Sequence, residues 1–204
     1  MRMIDNVRTV LRENWKTYLI TNLVVYSTLV MTMIAAVYVP GIRDAGLGAT
    51  EAFLSSPGAA AVLEAYTRGS IVQAAALTFL GNLLFASLAT TTLPSLCIPY
   101  VGVLTTLGRA VFIGLPTAPT TLSEVITFLV FAPVLVIEFQ AYVLAMLGAI
   151  IHGRSTFDDR RQHGSSRAGG YLAGVRDTLR LYPAIIAVLL VVAFIEATTS
   201  WLAH

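Results

Sequence analysis

Long runs of apolar residues dominate the chain, with charged residues gathered between them. A helix needs roughly 20 mostly apolar residues to cross a bilayer, because the hydrocarbon core is about 30 Å thick and each residue adds about 1.5 Å. Five stretches meet this length, covering about 19–39, 71–93, 96–115, 122–151 and 183–203. The sequence therefore predicts an all-α, polytopic membrane helix bundle in a single transmembrane domain over residues 1–204.

The boundary between the second and third stretches is open to two interpretations. The segment TTTLPSLCIPYVG contains Pro94 and Pro99, which interrupt helical hydrogen bonding. Residues 94–100 are therefore either a tight turn between two spans or a break within a re-entrant segment, which would leave four spans.

Two amphipathic segments outside these stretches predict interfacial helices. The N-terminal one is too long for the n-region of a cleavable signal peptide and carries apolar residues at helical spacing: Met3, Ile4, Val7, Leu11 and Trp15. A second such face precedes the fifth span: Leu172, Val175, Leu179 and Tyr182. We expect this second helix to lie along the membrane surface and to bend into the span at Pro183. The segment between Gly41 and Ser70 is expected to be external, with a short amphipathic helix.

Composition supports the membrane assignment. The 204 residues are 56% hydrophobic and 12% charged, with a mean hydropathy of +0.78, well above that of ordinary soluble domains. A net charge of +2 gives no argument for binding nucleic acid. The single cysteine excludes an intrachain disulfide and a cysteine-based metal site.

The basic residues predict an orientation. Of 13 Lys and Arg residues, four precede the first span and six lie in loop 152–182. With five spans both regions fall on one side, which the positive-inside rule makes cytoplasmic, with the C-terminus external. The expected partners are the lipid bilayer and its anionic head groups, bound by basic residues of the loop. These are Arg154, Arg160, Arg161 and Arg167.

Five polar side chains fall inside the predicted spans: Asn82, Arg109, Glu138, Gln140 and Glu196. An ionisable group at mid-bilayer costs about 2.5 to 3.5 kcal/mol, so it faces protein or water and has a partner. Counting along the helices places Arg109 level with Glu196 and within reach of Glu138. We predict a buried cluster in which Arg109 neutralises both glutamates, as an ion pair that fixes helix register or as a transport or proton-relay site.

Small residues predict close helix packing. The fourth span has a ridge with a period of four residues: Pro133, Ile137, Ala141, Ala145 and Ala149. The second span has a matching polar stripe: Thr78, Asn82, Ala86 and Thr90. Either face could pack within one subunit or against a protein partner, including a second copy of the chain.

Motifs for catalysis are missing from the sequence. It contains no HExxH, GxSxG or GxxxxGK[ST] motif. Residues with metal-binding side chains occur near the basic loop, at His152, Asp158, Asp159 and His163, but their irregular spacing favours a solvated loop. We therefore predict a protein that is not an enzyme and has no metal or cofactor.

Several spaced residues resemble those of the stage II sporulation protein M family, which are five-span membrane proteins. The resemblance lies in TFLGNLLFASLATTTL, in TLGRAVFIGL, in PVLVIEFQAYVLAMLGA and in YPAIIAVLLVVAFIEA. Its single residues are Phe79, Asn82, Pro133, Glu138, Ala141, Gly148, Pro183 and Glu196. The chain departs from the family's Pro-His-Gly run, having Val134 and Leu135 instead, and from its Asn-Gly near Gly108 and Arg109.

The resemblance implies a multi-span protein that works with protein partners, in sporulating bacteria as part of a wall-remodelling complex. Relatives also occur in organisms that never sporulate. The sequence thus favours a non-enzymatic scaffold or assembly component, with a small-solute or ion channel or transporter as the alternative.

Overall fold

The computed structural model describes residues 2–157 and 167–202, which form eight helices and no strand. These are α1 (Arg2–Glu13), α2 (Trp15–Tyr38), α3 (Ile42–Leu54), α4 (Pro57–Arg68), α5 (Ile71–Cys97), α6 (Val101–Thr117), α7 (Leu122–Phe157) and α8 (Arg167–Leu202). The predicted all-α helix bundle is confirmed.

Among the eight helices of the described residues, four are long and apolar enough to cross a membrane: α2, α5, α7 and α8. They correspond to the first, second, fourth and fifth predicted spans. The third predicted span is the apolar helix α6, whose 17 residues amount to about 25 Å. The number of crossings, five or four, therefore stays a prediction.

The segment between α5 and α6 is a turn. Helix α5 ends at Cys97, and α6 begins at Val101 after Tyr100, which has a φ of 71°. Within α5, the residues Gly81–Thr92 form a π-helix, a wider coil than the α-helix, in which each hydrogen bond spans one residue more. This wider coil changes which α5 side chains share a face.

The second half of α7 is the centre of the bundle. From Phe139 onward almost every residue is buried, whereas the first half of the helix exposes Leu122, Ile126 and Leu129. A helix that is apolar and buried all round needs neighbours on every side. Helices α2, α5, α6 and α8 supply them.

Helix α8 is continuous from Arg167 to Leu202 and includes Pro183, so the segment predicted as a separate interfacial helix is the first half of the same helix. The segment before the proline is held against α7 by very close contacts. A Cβ on Gly148 would lie 2.8 Å from Thr178, and one on Gly174 would lie 2.8 Å from the backbone of His152. The first half of α8 is therefore packed tightly against α7.

Helix α3 runs back beside α6, which the expectation of a simple external segment missed. Arg43 donates to the carbonyl of Ala118, just past the end of α6, whereas Phe53 stacks edge-on against Phe112, well inside it. Between these contacts, Gly46 lies against Leu115. Because α3 advances as α6 recedes, the two helices are antiparallel neighbours.

The predicted N-terminal helix is confirmed as α1, separate from α2. It packs mainly against α8, with Val10 buried, and Asn14 at the junction donates to the carbonyl of Val10. Helix α1 therefore lies beside the first half of the last helix, where Asn6 and Leu172 line one groove. We call this end of the bundle, formed by α1, the last turns of α7 and the first turns of α8, the basic end.

Candidate functional site

Glu138 on α7 is bonded to two neighbours inside the bundle. Its Oε1 accepts hydrogen bonds from Asn82 Nδ2 on α5 at 3.1 Å and from Tyr142 OH, one turn along α7, at 2.5 Å. Tyr142 is buried, with 2% of its surface exposed. Since Asn82 belongs to the π-helical part of α5, the carboxylate links α5 to α7.

Arg109 on α6 lies near Glu138 but forms no ion pair with a carboxylate of the described residues. Its guanidinium stacks over the Tyr142 ring, 4.8 Å from the centroid, and its Nη2 donates to Thr90 Oγ1 at 2.9 Å and to the Ala86 carbonyl at 3.4 Å. A cation over an aromatic face is attracted by the negative π-cloud. Tyr142 is thus the intermediary between the two charges.

The predicted neutralisation of Glu196 by Arg109 is wrong. The electrostatic neighbour of Glu196 is Glu138, and Tyr66 on α4 lies near both carboxylates. Counting residues from Pro183 misplaces Glu196 along the last helix, because α8 begins at Arg167. Arg109 contacts α5 at Ala86 and Thr90, whereas Tyr66 contacts α5 nearer its beginning, at Thr78.

The polar stripe on α5 links several helices. In chain order, Thr78 is hydrogen-bonded to Tyr66 of α4 at 3.0 Å, Asn82 donates a hydrogen bond to Glu138 of α7, and Thr90 accepts one from Arg109 of α6. We call the set Asn82, Thr90, Arg109, Glu138 and Tyr142 the Glu138 cluster. It connects three helices, which explains how the bundle accommodates polar groups.

Gln140 does not belong to this cluster, contrary to the prediction. Its Oε1 accepts from Tyr18 OH at 2.6 Å, and its Nε2 donates to Asn22 Oδ1 at 2.8 Å and to Tyr26 OH at 2.7 Å, all on α2. Residues two apart on a helix point in different directions, so Glu138 and Gln140 face different neighbours. Gln140 is a separate bonding centre that joins α7 to α2.

Replacing Gln140 should therefore weaken the bundle. Each side-chain hydrogen bond between membrane helices contributes about 0.6 kcal/mol on average, so Gln140→Ala should lose about 2 kcal/mol of unfolding free energy. Gln73→Ala, at an exposed position of α5, is the matched control and should change little. The measurement is unfolding by sodium dodecyl sulfate in mixed micelles; equal losses for both variants would contradict this role.

The small-residue ridge on α7 is used within the subunit. Ala141, Ala145 and Ala149 are each at most 1% exposed, whereas Pro133 and Ile137 face outward. The close approach is visible at Gly102, where a Cβ would lie 2.9 Å from Ala149 Cβ. These alanines are therefore not available as a dimer face.

Sequence reasoning missed Tyr142, Tyr66 and an ion pair at the opposite end from the basic one. Arg43 Nη2 lies 2.9 Å from Glu124 Oε1, and Glu124 Oε2 accepts from the Thr120 amide. A tyrosine one helical turn after Glu138 was the available signal, because residues four apart share a helix face. The Arg43 pair has no local signal, since 81 residues separate its members.

The basic residues expected to bind lipid differ in their surroundings. Arg154 donates to Thr17 Oγ1 of α2 at 2.7 Å, so part of its hydrogen-bonding capacity is used within the bundle. Arg167 is exposed at the start of α8, while Arg160 and Arg161 lie outside the described residues.

Within the described ranges, no group of three or more metal-binding side chains comes together. His152 is buried and packs edge-on against Tyr171 at 4.7 Å; Asp158, Asp159 and His163 lie outside these ranges. Two concavities on the described part of the chain are lined by residues outside the Glu138 cluster.

The fold and these contacts define a membrane-type helix bundle whose helices are linked by polar side chains. Comparison of the chain with protein-family models, with curated proteins and with solved structures gives no match.

Proposed function

We propose that this protein is a non-enzymatic scaffold or assembly component of a membrane complex. The observation that carries the proposal is that the large polar side chains Asn82, Arg109, Glu138 and Gln140 are each hydrogen-bonded to a side chain of a neighbouring helix. Glu138 accepts hydrogen bonds from Asn82 and Tyr142, and Gln140 is hydrogen-bonded to three side chains of α2. Polar groups used in this way fix the helices relative to one another and support a rigid framework.

Two further points support a role with partners. Helices α3 and α4 are too short to cross a membrane, yet they expose large apolar side chains such as Leu47, Phe53 and Leu63. The resemblance to the stage II sporulation protein M family implies the same kind of role. In our proposal the basic end is cytoplasmic, as the positive-inside rule requires.

A channel or transporter is the second candidate, and one specific observation favours it. Glu196 lies near Glu138 without a hydrogen bond or ion pair among the described residues, so two carboxylates share one region of the bundle. Arg109 Nε is also buried without an acceptor in the described part of the chain. Adjacent ionisable groups within a membrane are a common arrangement in cation and proton pathways.

Flux measurements separate the two candidates. For a scaffold, proteoliposomes containing the purified chain should conduct protons, Na⁺ and K⁺ no faster than empty liposomes, measured with a trapped pH dye and with ion-selective dyes. Mild extraction from native membranes should also recover the chain in a complex of defined stoichiometry.

The opposite result would favour transport. A flux that is lost in Glu196→Gln but kept in Glu64→Gln, an exposed glutamate of α4, would overturn the scaffold proposal. A chain recovered only as a monomer, with no flux, would contradict both proposals.

A further inference from the structure

A groove at the basic end runs between α1 and the first half of α8. Its volume is about 470 Å³, within the range of about 300 to 1,000 Å³ that ligand sites occupy. Four of its lining residues are apolar and are here called the floor: Leu172, Val175, Leu179 and Pro183. The three polar lining residues are here called the edge: Asn6, Arg176 and Arg180.

The floor and the edge follow from helical spacing. Leu172, Val175, Leu179 and Pro183 recur every three to four residues and so form one stripe along α8, with the two arginines one position farther round. The stripe is about 16 Å long, because eleven residues separate its ends. Leu172 and Leu179 are 66% and 57% exposed, so this stripe is not covered by the bundle.

The charges at the edge fit one anionic group. Arg180 Nη1 is bonded to Asp177 at 2.7 Å, which balances the charge of both side chains and holds the arginine in place. Arg176 is exposed and forms no ion pair among the described residues, so its positive charge is available to a ligand. Asn6 adds an amide that donates hydrogen bonds. Together they suit a phosphodiester with a single negative charge.

The direction of the groove fits a lipid. Pro183 leads into the apolar part of α8, and Leu172 lies toward the basic residues near the start of the helix. If Arg176 and Arg180 bind the phosphate of a lipid, an acyl chain of that lipid lies along Leu179 and Pro183, in the direction of the hydrocarbon. Arginine side chains beside anionic lipid head groups each add measurably to membrane binding.

We propose that this groove is a binding site for one anionic phospholipid. The site is independent of the scaffold role, because its residues take no part in the Glu138 cluster or the Gln140 contacts. Binding at this site also differs from the general attraction of anionic lipids by the loop arginines, because it requires Arg176 and an apolar floor at a defined place.

The test measures binding of labelled phosphatidylglycerol and labelled phosphatidylcholine to the full chain in neutral detergent micelles. The intact chain should bind phosphatidylglycerol more tightly, with one lipid per chain at saturation. Arg176→Gln should weaken phosphatidylglycerol binding about fivefold and leave phosphatidylcholine unchanged. The matched control is Arg167→Gln, an exposed arginine of the same helix outside the groove, which should keep the preference.

Leu179→Ser tests the apolar floor and should weaken both lipids, because the acyl chain is common to them. Three results would overturn the proposal. The intact chain could bind both lipids equally. Arg167→Gln could lower binding as much as Arg176→Gln, which would indicate diffuse attraction. Light scattering could instead show that Arg176→Gln changes the number of chains per particle, which would assign the groove to a second copy. A thermal unfolding curve for each variant establishes that it is folded.

Discussion

Replacing Glu138 with alanine should destabilise the bundle by about 3 kcal/mol, the lower end of the cost of removing one partner from a buried polar or charged network. The substitution leaves Asn82 Nδ2 and Tyr142 OH without their acceptor and removes the carboxylate whose charge interacts with Arg109. Unfolding by sodium dodecyl sulfate in mixed micelles measures the loss.

Two variants serve as controls for this result. Glu138→Gln keeps an acceptor for both donors and should lose about 1 kcal/mol. Glu64→Ala removes an exposed glutamate, whose side chain is 70% accessible, and should change the free energy of unfolding by less than about 0.5 kcal/mol. If Glu138→Ala were as mild as Glu64→Ala, the Glu138 cluster would have no structural importance.

The role of Tyr142 as intermediary gives a further expectation for the same experiment. Arg109→Ala combined with Glu138→Ala should cost about 1 kcal/mol less than the sum of the single changes, because both side chains contact Tyr142. Strictly additive losses would show that Arg109 and Glu138 act independently, despite their proximity.

Gly102→Ala should cost about 2 to 3 kcal/mol, because the added methyl group has no room. Its Cβ would lie 2.5 Å from Ser95 Oγ, 2.8 Å from the Thr91 carbonyl and 2.9 Å from Ala149 Cβ. The Gly102 amide also donates to Ser95 Oγ at 2.7 Å, so displacement of either group breaks a bond at the turn between α5 and α6.

Gly108 on the same helix is the matched control. A Cβ there meets nothing within 4 Å, so Gly108→Ala should be neutral or stabilise α6 by up to about 1 kcal/mol through its better helix propensity. The two variants are compared by thermal unfolding in detergent. Similar midpoints for both would mean that α6 does not pack against α5 and α7 as described.

The contrast between Glu138 and Gln140 shows what the local sequence lacks. Both are polar residues within an apolar helix, and each has the hydrogen-bond partners that such a position requires. Counting along the helix does not predict their partners, because the tertiary packing decides which helix lies on each side of α7. The structure places α5 and α6 beside Glu138 and α2 beside Gln140.

The error over Glu196 has a different cause. Its depth was estimated from a helix start at Pro183, a position where proline removes one hydrogen bond and so favours a boundary. Contacts of Gly148 with Thr178 and of Gly174 with His152 keep the helix continuous instead. A boundary set by packing between α7 and α8 is not visible in either segment alone.

Apolar runs are enough to predict an all-α helix bundle and the apolar part of each long helix, although not where α8 begins. Apolar runs of sufficient length must form helices in hydrocarbon, because a backbone there has no water to bond with. The tertiary structure alone decided that Tyr142 mediates between Arg109 and Glu138, that α3 returns beside α6, and that α1 and α8 form a groove. These features join residues far apart in the chain, so they depend on how the helices pack rather than on any local pattern.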